Sequence, residues 1–311
     1  MSIQAAMLPD GKRLHLQHGP IDLIIEANGA PDQVSRAYAA ARTRFATVLD
    51  VLAGELQILR TLMPQAGLDV SGPIAHRMVA AVRPFWKSKV TPMAAVAGSV
   101  ADEMLCAMCA DADLARAYVN NGGDIALHLA DGESFSIASA NGPVAVCAAG
   151  PVRGIATSGW RGRSFSFGIA DSVTVLAASA AQADVAATLI ANAVDLPGSI
   201  KVRRAPAAAV FPDSDLGQRR VTVEVARLTQ KEVNAALARG LEFAGQLQRR
   251  GASLGRFWVA GASQTWTRRL GLLFDLEQDH LRRYVTKFCC CVPCGFFSAL
   301  FCNKATRHVR T

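Results

Sequence analysis

The sequence predicts an α+β fold with antiparallel sheets, on three observations. Helical and strand-like stretches are interleaved along the 311 residues. The strand-like runs, however, often follow one another with only a glycine-rich turn between them, unlike a doubly wound parallel sheet. Half of the residues are apolar (51%) and 19% are charged, which is enough apolar surface for a core of ordinary size and excludes disorder as the default.

The elements follow in order. Leu14, Leu16 and His18 alternate with polar neighbours after the Pro9-Asp10-Gly11 turn, and the alternation resumes over 21–27 beyond the Gly19-Pro20 break, so the first thirty residues read as a hairpin. From Pro31 to about Met63 the period becomes helical, with Phe45, Leu49, Leu52, Leu56 and Leu59 spaced by threes and fours. A short helix is expected near 75–82. Another starts at Thr91-Pro92, a cap followed by proline, and runs to about Cys109. Between 117 and 172 short β-like runs are punctuated by glycine, the last of them SFSFGIA, and Val173 to Leu176 adds one more. Ala180 to Val194 reads as a small-residue helix and Val221 to Leu228 as a strand. Thr229 to Arg249 is a helix opened by a Thr229/Glu232 capping box.

The formal net charge of +8 is concentrated at one end. Residues 251–311 carry nine Lys/Arg and three Asp/Glu, which leaves residues 1–250 at only +2. The body therefore has no polyanion footprint, no nucleic-acid partner is expected, and its basic residues read as solvated faces. The N-terminus lacks the charged and apolar regions of a signal peptide, and the most apolar stretch, Val173 to Val194, is interrupted by Gln182, Asp184 and Asn192. No membrane span is expected, and the reading is cytoplasmic. Cys106, Cys109 and Cys147 are too few and too odd in number for a disulfide framework.

Beyond Gly251 periodicity fails and five of eight cysteines crowd into 289–302. Residues 1–250 are accordingly taken as the folded domain, and 251–311 as an irregular cysteine-rich basic tail outside the fold. The alternatives for that tail are an acylated anchor, or a metal site pairing Cys106/Cys109 with Cys291/Cys294.

No GxxxxGK[ST], GxGxxG, HExxH or GxSxG motif is present, and the six histidines are scattered, reading as surface or packing residues. Three clusters stand out. Asn120-Asn121-Gly122-Gly123-Asp124 is a β-turn, or a place where backbone approaches a ligand closely. Gly154 to Trp160 (GIATSGW) is a polar hairpin tip, or a cradle for phosphate or a ribityl chain. Asp184 and Thr188 stand one helical turn apart on one face, with Ala181, Ala187 and Ala191 leaving room around them. They are a dipole-favoured Asp and a back-bonded Thr, or two hard oxygen donors for Mg²⁺ beside a phosphate-bearing ligand.

Taken in order, AAVAGSVAD (94–102), YVNNGGDIAL (118–127), GIATSGW (154–160) and SVTVLAASAAQADVAATLIA (172–191) resemble the ApbE-type FAD:protein FMN transferases. Across 1–250 the arrangement is similar to an uncharacterised, shortened prokaryotic family of that superfamily. The resemblance implies two related antiparallel α+β halves, T-fold-like, packed as one unit. It implies FAD and Mg²⁺ as cofactors, with the metal held by Asp184 and Thr188 and by a carbonyl near Ala97 or Gly98. Gly122, Gly123, Asp124, Thr157, Ser158 and Gly159 would then bind the flavin nucleotide, and an acceptor protein would be a partner. Two departures bear on the reaction. Ala97 stands where the family has a lysine, and the family's histidine-containing segment is reduced to Ser166–Asp171, leaving Asp171 as a substitute base. Two readings follow: a Mg²⁺-dependent enzyme acting on FAD or a related nucleotide, or a non-catalytic cofactor-binding or assembly protein on the same scaffold.

Overall fold

A computed structural model describes residues 2–139, 142–249, 254–260 and 271–274. Strands Gln4–Met7 (β1), Leu14–His18 (β2) and Ile21–Asn28 (β3) form an antiparallel meander. Ile21, Leu23, Ile25 and Ala27 of β3 are buried and their neighbours are not, the period-two pattern of a sheet with one covered face. Helices Pro31–Gly54 (α1), Leu56–Leu59 (α2) and Pro73–Val82 (α3) follow. Two 3₁₀ turns then lead into Val96–Ala110 (α4). Strands Arg116–Asn121 (β4) and Asp124–Leu129 (β5) form a hairpin, as do Ser134–Ser139 (β6) and Gly142–Cys147 (β7). The remainder is Gly154–Ser158 (β8), Ser172–Ala177 (β9), Ala180–Ala193 (α5), Val202–Pro206 (β10), Ala207–Val210 (α6), Arg220–Val225 (β11), Gln230–Arg249 (α7), Leu254–Ala260 (β12) and Gly271–Phe274 (β13).

One nine-stranded sheet runs β1-β2-β3-β4-β5-β8-β9-β12-β13, antiparallel at every step. It contains the expected duplication. Strands β2-β3, a helical stretch, then β4-β5 make one half; β8-β9, α5 and α7, then β12-β13 make the other. In both halves the strands lie in the sheet in chain order. The halves join through a short pairing of Ile125 with Ile155 and Ala126 with Gly154. Hairpins β6-β7 and β10-β11 are additions outside the sheet.

The centre of the core is the contact between α4 and α5, which lie over the join. A Cβ on Gly98 would stand 2.3 Å from the Ala180 carbonyl oxygen, and one on Gly154 would stand 2.0 Å from the Ser179 carbonyl carbon. These glycines let a helix and a strand touch the start of α5. The alanines that seemed to leave room for a ligand are instead buried in this packing, Ala187 and Ala191 completely. Ser179 caps α5 by accepting the Gln182 N–H, and Asp102 of α4 accepts the N–H groups of Ala180 and Ala181 at 3.0 and 2.9 Å.

Several expectations need correction. Beyond residue 250, β12 pairs with β9 and β13 with β12, and the remainder of the cysteine-rich segment lies outside the described residues. SFSFGIA is a loop, not a strand. Its backbone is satisfied laterally, by the Asn192 side chain at Phe167 and by the Val194 carbonyl at Ile169. Thr91 stands at the N-cap position before Pro92 as expected, but its side chain makes no cap hydrogen bond; its hydroxyl donates to Asp215 at 3.1 Å instead. As expected, Val173 to Val194 divides into β9 and α5. The described stretch long and apolar enough to cross a membrane is Pro92–Ala110 (mean hydropathy 1.4), half of it buried inside the fold. The Thr229/Glu232 capping box is present in both directions, Thr229 N–H to Glu232 at 2.7 Å and Glu232 N–H to Thr229 at 3.3 Å.

Candidate functional site

A cavity of about 1050 Å³ opens beside the join between the halves. Asp124, Asp184, Thr188 and Ala97 line it together. Asp124 arrives at the start of β5, directly after the Gly122-Gly123 turn, whose φ angles of 66° and 113° suit glycine and close a two-residue hairpin. Asn121, paired across that hairpin with Asp124, donates its side-chain amide to the Ala97 carbonyl at 3.1 Å. Asp184 is carried by α5 and accepts the Gly98 N–H at 3.0 Å. The clamp between the helices thus works both ways: Asp102 of α4 holds α5, and Asp184 of α5 holds α4.

The two carboxylates feel each other. Burial pushes Asp124 up to about 7, against the pull of the Thr157 N–H and the Arg163 guanidinium. Burial first, and then the charge of Asp124, drives Asp184 well above the usual carboxylate range, while the N–H groups of Gly98 and Ala97 oppose the shift. A neighbouring pair of carboxylates held in this way resists ionising both members at once and favours a cation between them. The donors of Asp124, Asp184 and Thr188 are carboxylate and hydroxyl oxygens, a set that suits Mg²⁺. Among the described residues no group of three or more His, Cys, Asp or Glu gathers as a metal cage. That also fits Mg²⁺, which takes one or two carboxylates and completes its shell with water and phosphate oxygens.

The other residues singled out in the sequence are placed differently. Gly122 leaves space for Arg163, whose Nη1 would stand 2.8 Å from a Cβ there, whereas Gly123 has nothing within 4 Å. Thr157 contributes its backbone to Asp124, but its exposed side chain pairs with Thr174 at 2.8 Å. Gly159 is buried where a Cβ would meet the Asp171 carbonyl at 2.2 Å, so it serves backbone packing. Ser158 and Asp171 are not among the residues lining the cavity, and Asp171 is ion-paired with Arg161 at 2.9 Å. His18 packs edge-on against Phe45 in the core.

The sequence reading missed the cations. Arg60, Lys87, Lys89, Arg163 and Arg219 all line the cavity, although the basic residues of the body were expected on solvated faces. Among the described residues none of the five has a carboxylate within ion-pairing distance. Arg219 lies over Phe167 at 4.2 Å and donates to the Lys89 carbonyl. Lys89 has φ 51°, the one positive φ outside glycine among the described residues and a place where strain is held. Phe165, Phe211 and Phe243 add apolar surface to the same walls. The arginines and aromatics crowded into WRGRSFSF were the available signal, hidden by reading that run as a strand.

Comparison with known proteins places the chain. A UPF0280 protein of Methanothermobacter thermautotrophicus is 39% identical over 135 residues, 42% of this chain and 52% of that protein. One from Methanothrix thermoacetophila is 38% identical over 148 residues, 45% of this chain and 61% of that protein. The chain thus spans little more than half the length of these curated relatives. A third, from Methanopyrus kandleri, is 31% identical over 55% of this chain and 69% of its own length. Among solved structures, the flavin transferase ApbE from Vibrio cholerae aligns with 85% of this chain and 95% of its own, at 11% identity and a TM-score of 0.43. The family model described as AbpE bacteria matches residues 5–265, and on that match the chain belongs to this family and groups with the UPF0280 proteins.

Proposed function

We propose that this protein binds FAD, or a related nucleotide carrying a pyrophosphate, together with Mg²⁺, in the cavity between α4, α5 and the β4-β5 hairpin. The observation that carries the reading is the pair of carboxylates, Asp124 and Asp184, on the wall of a cavity that also gathers five cations with no carboxylate in ion-pairing distance among the described residues. Carboxylates favour a divalent cation and the cations favour phosphate, so together they select a metal-bound phosphate ester. Asp184 and Thr188 would hold the metal with Asp124. Mg²⁺ bound there would neutralise charge on a pyrophosphate and polarise it. The phenylalanines would exclude water and lie against a ring system.

Binding without turnover is the reading favoured over transfer. No histidine is among the described residues lining the cavity, and Asp171, the substitute base, stands outside it in an ion pair. An acceptor protein is a partner only if transfer occurs. A reducing, cytoplasmic setting suits the three unpaired thiols Cys106, Cys109 and Cys147.

The test is thermal unfolding of the full chain with FAD, with Mg²⁺, and with both. Ligand at 100 times Kd stabilises the native state by about 2.7 kcal/mol. We expect a rise in midpoint that needs both components and disappears in Asp184→Ala. An Asp184→Ala protein that keeps the full rise would remove the metal assignment. AMP released in the presence of acceptor peptides would restore the transferase reading.

A further inference from the structure

We propose that Arg163 is the residue that fixes the phosphate of the bound ligand beside the carboxylate pair, and that Gly122 is glycine partly because a side chain there would displace it. The proposal rests on the nucleotide reading above and goes further by assigning the anion contact to one side chain.

The loop between β8 and β9 carries two arginines two residues apart, and they are treated differently. Arg161 pairs with Asp171 at 2.9 Å and stacks on Trp160 at 4.6 Å, so its charge is answered within the loop. Arg163 is exposed on the cavity wall, and its one hydrogen bond among the described residues goes from Nη2 to the Pro20 carbonyl at 3.0 Å. That bond positions the guanidinium without neutralising it. Among the described residues no carboxylate comes within ion-pairing distance, although the charge is near enough to act on Asp124. The planar fork therefore retains free N–H donors at the edge of the site where a cation would draw an anionic ligand. A guanidinium fork matches two phosphate oxygens at once, which a lysine ammonium does not.

Gly122 supplies the space. A Cβ at this position would stand 2.8 Å from Arg163 Nη1, which would have to move away from the wall. Gly123, next in the same turn, has φ 113° and open space around it. The two positions thus separate backbone strain from displacement of the arginine: both glycine-to-alanine changes strain the turn, and only Gly122→Ala also meets Arg163.

The experiment is titration calorimetry of the full chain with ADP and with adenosine, each in the presence of Mg²⁺. The variants are Arg163→Ala, Arg163→Lys, Gly122→Ala and Gly123→Ala. Loss of a charge-assisted contact weakens ADP binding by about tenfold or more. We expect that loss in Arg163→Ala, an intermediate loss in Arg163→Lys, and little change for adenosine. Gly122→Ala should weaken ADP binding more than Gly123→Ala does. Arg163→Ala binding ADP as tightly as the parent would overturn the assignment and leave the nucleotide reading standing. A parent protein that binds neither ADP nor FAD with Mg²⁺ would overturn both. Equal effects of the two glycine changes would remove the role of Gly122 in holding Arg163 and leave only the need for positive φ.

Discussion

Asp124 is ordinary in its chemistry and unusual in its surroundings. Its carboxyl would titrate near 3.8 in an unfolded chain and does so near 7 in the folded one. Between those values the native state holds a proton that the unfolded chain has released, so stability falls as pH rises from about 4 to about 7. Asp184, raised in the same direction, adds to the trend. Mg²⁺ bound as proposed would compete for the same oxygens, so its affinity should rise over this interval and level off above it. Urea unfolding at a series of pH values checks this: Asp124→Asn should flatten the decline in midpoint, and Mg²⁺ should counter it at pH 8. A parent and an Asp124→Asn protein with the same pH profile would mean that Asp124 does not carry the raised titration. This pairing was not legible in the sequence, where Asp124 and Asp184 belonged to separate motifs. Only the join between β5 and β8, with α5 laid over it, brings them to one cavity.

Among the elements, α4 and α5 matter most because each holds the other. The Asp102 and Asp184 carboxylates cross between them in opposite directions, and Gly98 removes the side chain that would separate them. Gly98→Ala puts a methyl 2.3 Å from a backbone oxygen that has no rotamer to escape by, so the helices must part. Overpacking of this kind costs about 1–3 kcal/mol. A lowered urea midpoint with weakened Mg²⁺ binding is expected, and an unchanged midpoint would show that the helices adjust freely. The small-residue character of α5 was visible in the sequence, but its reason was not. The alanines allow close packing of α4 and the sheet, and the ligand space lies beyond them.

At the scale of the whole molecule, the duplication places two strands of the second half beyond residue 250. The second half has β8 and β9 before that point and β12 and β13 after it, so removing the latter leaves β9 as a sheet edge. Val173 and Val175 of β9 belong to the main core, and an unpaired edge strand with apolar neighbours invites aggregation. A chain ending at residue 250 should unfold at lower temperature and aggregate more readily than one ending at residue 275. Equal midpoints for the two would mean that β12 and β13 contribute no stability.

The sequence by itself determined most of the element types it marked, many of their limits and the class of fold. Those follow from local physics: the period of apolar residues, proline at Pro31, glycine at turns, and the reciprocal cap at Thr229 and Glu232. It also marked Asp184 and Thr188 as neighbours, since one helical turn separates them. The tertiary structure decided what converges. Arg60, Lys87, Lys89, Arg163 and Arg219 come from four separate stretches of chain and share no spacing, so no periodicity could gather them. The strands beyond residue 250 escaped notice for the same reason, because a strand at the end of a sheet is recognised by the neighbour it pairs with.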